Sequence, residues 1–176
     1  MVYTLYRVQL RPGTYKHNDF HLWCNLKKGR DYIGVGVGAI IFNERHEIFL
    51  AKRGLKARNE IGRWEFPGGA VEFGETLEIA LMREIREEFG FSIKIFRLLD
   101  VVDHILPDEH QHWVSPTFLC RIADGTPEIK EPEKCSDFIW MNVADIPAES
   151  LTLASRKSLQ SLRLFPYESV IFSIAR

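Results

Sequence analysis

The sequence points to an α/β fold, an α/β/α sandwich built on a mixed sheet, and three observations carry that reading. Segments that alternate or run apolar in the manner of strands recur at 33–42, 47–53, 93–105, 113–122 and 137–143. Two stretches with helical composition and period, 76–89 and about 151–164, are interspersed among them. With 176 residues and 45 % apolar content, the chain can bury one sizeable core and has no need of two.

Along the chain, residues 1–32 come first as an N-terminal extension, with the main domain assigned to 33–176. Residues 3–10 alternate enough for a strand, and 19–26 suit a short helix with Phe20, Trp23 and Cys24 on its apolar side. So many aromatics argue against disorder, so the extension is expected to pack on the domain. Asn43-Glu44-Arg45-His46 is the turn between the first two strands of the domain. Trp64-Glu65-Phe66-Pro67-Gly68-Gly69 reads as a short strand broken by a Pro-Gly-Gly turn, where glycine frees the backbone to aim its polar groups at a ligand.

The helix over 76–89 is rich in Leu, Ala, Met, Glu and Arg, with Gly90 placed as its C′ residue. Leu81, Ile85 and Phe89 form its buried flank. The strands over 93–105 and 113–122 flank the polar Pro107-Asp108-Glu109-His110 connection. Beyond Asp145-Ile146-Pro147, the last helix carries Leu153, Lys157 and Gln160 near one stripe and Leu159 and Leu162 on another.

The chemistry concentrates on the first helix. At 100° per residue, Glu84, Glu87 and Glu88 share one face within about a turn. Charge runs on helices are commonly solvated faces, but two details oppose that here. Glu84 and Glu88 are like charges at i, i+4, and Glu87 and Glu88 sit at the negative end of the helix dipole, at a cost of roughly 0.3 to 1 kcal/mol each. Arg83 relieves Glu87 only in part. A countercharge from outside the helix is required, and hard oxygen ligands at this spacing suit Mg²⁺ or Mn²⁺ better than zinc.

Composition removes several function classes. A net charge of −1 leaves no electrostatic footprint for a nucleic acid polymer. Lys27, Lys28 and Arg30 make only a local basic cluster. Cys24, Cys120 and Cys135 are odd in number and unpatterned, as free thiols in a reducing compartment would be. No signal peptide or membrane span is visible, so a cytoplasmic protein is expected. His110 and His112 at i, i+2 lack a third partner at zinc-site spacing and read as polar residues beside a hairpin.

Taken together, Gly69, Glu75, Arg83, Glu84, Glu87, Glu88, Gly90 and Phe91 resemble the Nudix box, G-x5-E-x7-R-E-U-x-E-E-x-G-U with U bulky and apolar. Every fixed position is filled, with Phe91 where an aliphatic residue is usual. The resemblance implies a Nudix-type α/β/α sandwich with a loop-helix-loop catalytic motif, covering about 33–164. It implies that Glu84, Glu87 and Glu88 bind the catalytic Mg²⁺ or Mn²⁺ with the Gly68 carbonyl, and that Glu75 and Arg83 pair to hold loop against helix.

The similarity continues outside the box. Residues 47–53 and the following Trp64–Gly69 segment look like the strand and loop of MutT-type nucleoside triphosphatases, which implies a phosphate contact from Arg53. Residues 131–140 look like the same subgroup and imply a further glutamate at the metal or as the base, Glu133 first and Glu131 second. His112-Trp113-Val114 lies where relatives carry a His-aromatic pair, implying a substrate contact from His112.

The expected function is metal-dependent hydrolysis of a nucleoside diphosphate linked to X, foremost a nucleoside triphosphate or modified purine triphosphate, giving monophosphate and pyrophosphate. Glu88, Glu87 or Glu133 would take the proton of the attacking water. A homodimer is expected from the resemblance alone. Two rivals stand beside this reading: a nucleotide-sugar or ADP-ribose pyrophosphatase, for which Pro107 is suitably placed, and a non-catalytic nucleotide-sensing module, which the complete box opposes.

Overall fold

The computed structural model describes residues 26–165. The expected strand over 3–10 and, but for Leu26, the expected helix over 19–26 lie outside the described residues. In chain order the elements are β1 (Gly34–Phe42), β2 (Ile48–Arg53), β3 (Trp64–Glu65), β4 (Gly68–Ala70), α1 (Leu77–Phe89), β5 (Ser92–Leu106), β6 (Gln111–Asp124), β7 (Cys135–Met141) and α2 (Leu153–Leu164). Among the described residues the strands make one seven-stranded sheet along the path β3-β2-β1-β6-β5, with β4 paired to β1 and β7 to β2. β1 and β6 run parallel and the other pairs antiparallel, so the sheet is mixed as expected.

Strand alternation sends successive side chains to opposite faces, and each face meets one helix. Val37, Ala39, Ile41, Phe49, Ala51, Phe118 and Cys120 pack with Ala80, Leu81, Ile85 and Phe89 of α1. Ile40, Phe42, Ile48, Leu50 and Leu119 face the other way, in a cluster with Leu159 and Leu162 of α2. That is the α/β/α sandwich. Phe49 centres the first layer: its ring lies 5.0 Å from Phe89 and 5.8 Å from Phe91, both edge-on, and 5.2 Å from Phe138 in a stack. Phe91, the unusual aromatic at the end of the box, is therefore a core residue, and such ring pairs contribute about 0.5–1.5 kcal/mol each beyond burial.

Local chemistry sets the limits of α1. Thr76 caps it, its hydroxyl accepting from the Ile79 N–H at 3.3 Å, and Gly90 closes it in the left-handed region at φ 73°. Gly90 N–H donates to the Arg86 carbonyl.

The structure departs from the sequence expectations in three places. The Pro-Gly-Gly segment is not only a turn: Gly68–Ala70 forms β4 and pairs with Gly36, Val37 and Gly38 of β1. β7 begins at Cys135 rather than 137, because a register shift beside Arg53 lets Cys135 pair there. On α2 the buried stripe is Ser155, Ser158, Leu159 and Leu162, whereas the Lys157 ammonium donates to the Asp103 carbonyl. Two serines on an inward stripe are invisible to a hydrophobic pattern. No helix among the described residues is long and apolar enough to cross a membrane.

Candidate active site

A cleft of about 440 Å³ opens over β1, β4 and the acidic face of α1, and is closed on its far side by the start of α2. Gly68, Gly69, Arg83, Glu84, Glu87 and Glu88 all line it. The two glycines are there for space rather than for an unusual φ, since neither has positive φ. A Cβ on Gly68 would stand 2.0 Å from the Val37 carbonyl oxygen, and one on Gly69 would stand 2.1 Å from the Glu84 carboxyl carbon. Only glycine lets β4 lie this close to both β1 and α1.

Arg83 organises the acids. Its Nε and Nη2 donate to the two oxygens of Glu75 at 2.7 and 3.0 Å, and Nη1 donates to Glu84 at 2.9 Å and Glu87 at 3.1 Å. Nη2 also donates to the Ala70 carbonyl at 3.1 Å, tying the end of β4 to the helix. Glu75 accepts further from the Glu72 N–H, and these bonds, with Arg83 foremost, hold its carboxyl down at about 2. The Arg83 guanidinium is held well above its ordinary value, chiefly by Glu75.

Glu88 stands in the opposite condition. Burial, then the charges of Glu65 and Glu84, push its carboxyl up to about 8, with Lys134 opposing and Glu131 adding to the rise. Among the described residues no group of three or more His, Cys, Asp or Glu side chains is gathered as a metal site. The disposition of Arg83 explains this, because it draws Glu84 and Glu87 to itself. The set still fits a hard divalent ion: all its donors are oxygens, three sit on one helix face, and the half-buried Glu88 carboxyl carries an electrostatic penalty that a cation would remove.

The residues expected outside the box fare differently. Arg53 lines the cleft, but it is held by neighbours: it pairs with Glu65 through Nη1, while Nε and Nη2 donate to the Asn59 carbonyl and side chain at 2.8 Å. Glu133 is not among the lining residues and lies 3.6 Å from the Lys56 ammonium. Glu131 accepts from Lys134 at 2.7 Å, and Lys134 does line the cleft. Backbone bonds from Gly54 to Lys134 and from Lys56 to Glu133 dock this loop against the rim.

His112, expected to contact substrate, does not line the cleft. On β6, alternation turns Trp113, Ser115 and Thr117 into it. His112 N–H instead donates to the Gly29 carbonyl at 2.8 Å. His110 takes the left-handed position at φ 50° that ends the turn before β6. Lys28 of the basic cluster donates to the Val71 carbonyl at 2.7 Å, a structural bond.

Several cleft residues were not expected from the sequence. Arg58 lies with its guanidinium 4.4 Å over the Trp113 ring. His104 sits 2.9 Å from Glu60, whose other oxygen accepts from the Leu153 N–H at the first turn of α2. Thr117 and Ser158 share a hydrogen bond at 2.9 Å, and Ser158 donates onward to Asp100 at 3.1 Å. Each joins residues more than 40 positions apart, and no local pattern marks such pairs.

Comparison with known proteins agrees with this geometry. The NUDIX domain family matches residues 33–162. The 8-oxo-dGTP diphosphatase of Escherichia coli strain K12 is 36 % identical over 129 residues, 71 % of this chain and 96 % of that protein. The ADP-ribose pyrophosphatase of Methanocaldococcus jannaschii is also 36 % identical, over 67 % of this chain and 69 % of its own. Among solved structures, the MutT NUDIX hydrolase from Burkholderia pseudomallei superposes with a TM-score of 0.68 at 38 % identity, covering 74 % of this chain and 98 % of that one. With a complete box, the sandwich around it and these relatives, the chain belongs to the Nudix family as a MutT-like hydrolase.

Proposed function

We propose that this chain hydrolyses a nucleoside triphosphate, canonical or with a modified purine, to the monophosphate and pyrophosphate, with Mg²⁺ or Mn²⁺ as cofactor. The observation that carries the reading is the half-buried Glu88 carboxyl at the cleft, beside Glu84 and Glu87 and under the close-packed glycines of β4. Glu84, Glu87, Glu88 and the Gly68 carbonyl would hold the divalent ion. When bound, the ion neutralises phosphate oxygens and stabilises the leaving group. Arg83 anchors the acid-bearing helix to β4 through Ala70 and to the following loop through Glu75, so the carboxylate oxygens that would hold the ion start from a fixed frame. Glu88, Glu87 or Glu133 takes the proton of the attacking water. Glu133 would first have to leave Lys56.

The triphosphate reading is supported by the relatives named for 8-oxo-dGTP hydrolysis. The Methanocaldococcus relative keeps ADP-ribose as the second reading. A cytoplasmic location accords with the buried free thiols of Cys120 and Cys135. A homodimer rests on the resemblance alone.

The test is a panel of purine triphosphates, an oxidised purine triphosphate, ADP-ribose and a nucleotide sugar, each assayed with Mg²⁺ and with chelator. Release of pyrophosphate from a triphosphate, lost with chelator and reduced at least about a hundredfold in Glu88→Gln and Glu87→Gln, is the expected result. Turnover confined to ADP-ribose would move the chain to the second reading. Folded Gln variants with wild-type Mg²⁺-dependent turnover would overturn the assignment of the glutamates.

A further inference from the structure

We propose that Arg58, set over the Trp113 ring, is the cleft cation that receives the phosphate chain of the substrate, in the role that resemblance alone would give to Arg53. The proposal rests on the triphosphate reading for its substrate and on the cleft geometry for its residue.

The basic groups lining the cleft differ in what already holds them. Arg53 is engaged by Glu65 and by Asn59 at 2.8 Å. Arg83 is engaged by three glutamates at 2.7 to 3.1 Å, Lys134 by Glu131 at 2.7 Å, and Lys56 lies 3.6 Å from Glu133. Arg58 is the one whose guanidinium, among the described residues, meets an aromatic face and no carboxylate. Its position over the ring leaves its N–H groups without a hydrogen-bonded acceptor among the described residues, and a guanidinium fork matches two phosphate oxygens at once.

The platform is rigid. Trp113 is 5 % exposed, and its Nε1–H donates to the Gln111 side-chain oxygen at 3.0 Å. The ring fills the space over Gly29 and Gly34, where an added Cβ would come within 2.2 and 2.4 Å of it. Gln111 also holds the loop that carries Arg58, accepting from Asn59 at 3.1 Å and donating to the Arg58 carbonyl at 3.4 Å. One side chain thus registers the ring and the arginine against each other.

The electrostatics place this cation where an anion is needed. Burial, and next the charge of Arg53, work against the charged form of Arg58, while Glu84 favours it. Arg58 stays exposed at the cleft, and a phosphate oxygen reaching it would offset the repulsion from Arg53 that Glu84 alone does not cancel.

The experiment uses the full chain and two probes: steady-state hydrolysis of dGTP with Mg²⁺, and calorimetric binding of inorganic pyrophosphate. Arg58→Ala is expected to lower kcat/KM and pyrophosphate affinity by about ten- to a hundredfold, the scale of charge-assisted hydrogen bonds. Arg58→Lys keeps the charge but loses the planar fork and should fall between. Trp113→Phe should weaken both by a smaller factor, through KM more than kcat. Pyrophosphate binding unchanged in folded Arg58→Ala would overturn the proposal, as would a loss confined to thermal stability and kcat. If the wild type binds pyrophosphate through Arg58 but hydrolyses no triphosphate, the functional reading fails and the assignment of Arg58 stands.

Discussion

Arg83 places its donors on the acids and carbonyl around α1, and Glu75 accepts two of them. Because the folded-state carboxyl of Glu75 is held at about 2, below its ordinary value of 4.5, the pair stabilises the fold fully above about pH 4.5. That contribution is lost as pH falls through about 2. Denaturant titrations of wild type and Glu75→Gln should therefore differ most near neutral pH and converge as pH drops from 4.5 towards 2. A difference that stayed constant over that range would show that the carboxylate charge does not hold the loop. At this scale the sequence exposed the pairing of Glu75 with Arg83, since both are box positions, but it could not tell which basic side chains of the 52–58 run are left without an ion pair among the described residues. Arg53 and Arg58 look alike in a basic run; Glu65, Asn59 and Trp113 distinguish them, and these are tertiary neighbours. His112 and Trp113 were similarly adjacent, and only the pleat of β6 shows which enters the cleft.

The β4 segment separates two roles that look identical in a Gly-Gly pair. At Gly68 an added Cβ meets backbone, the Val37 carbonyl oxygen at 2.0 Å, which cannot move without disturbing the sheet. At Gly69 it meets the Glu84 carboxylate, the mobile end of a side chain. Gly68→Ala is thus expected to destabilise the protein by about 1–3 kcal/mol, as overpacking does. Gly69→Ala should remain close to wild-type stability while losing Mg²⁺-dependent turnover, because Glu84 is displaced. Thermal melts with parallel assays separate the two, and equal melting with equal activity in both variants would refute the close packing. The longer elements were legible from period, and the limits of α1 near Thr76 and Gly90 are local chemistry, whereas β4 was read only as a turn. The inward face of α2 was not, because Ser155 and Ser158 are buried through hydrogen bonds to Phe66 and Thr117 rather than by hydrophobicity.

Across the whole molecule, the proposed cation site at Glu88 would couple folding to cation binding. Its folded-state carboxyl is raised from 4.5 to about 8, so the folded chain holds the proton more tightly than the unfolded one and loses stability as pH rises between those values. A cation in the site offsets that loss. Saturation at a hundred times Kd adds about 2.7 kcal/mol, and each kcal/mol raises Tm by about 2–4 °C in a chain of this size. Differential scanning calorimetry at about pH 8 should show Tm rising with Mg²⁺ in the wild type. Glu88→Gln should melt higher than wild type in chelator and respond less to Mg²⁺. A Tm unmoved by Mg²⁺ in the wild type would dissociate Glu88 from cation binding.

The sequence by itself determined the sandwich class, the acid-bearing helix with its closing Gly90, and the family, because each depends on period, composition or fixed spacing along one segment. Only the tertiary structure decided which cleft cations are already paired, which face of β6 enters the cleft and what closes it. Those answers depend on Arg58 with Trp113, Glu60 with His104, and Thr117 with Ser158, pairs joined by the crossing of strands and loops. Hydrophobic pattern records burial along a chain and carries no record of which distant partner a buried polar group will meet.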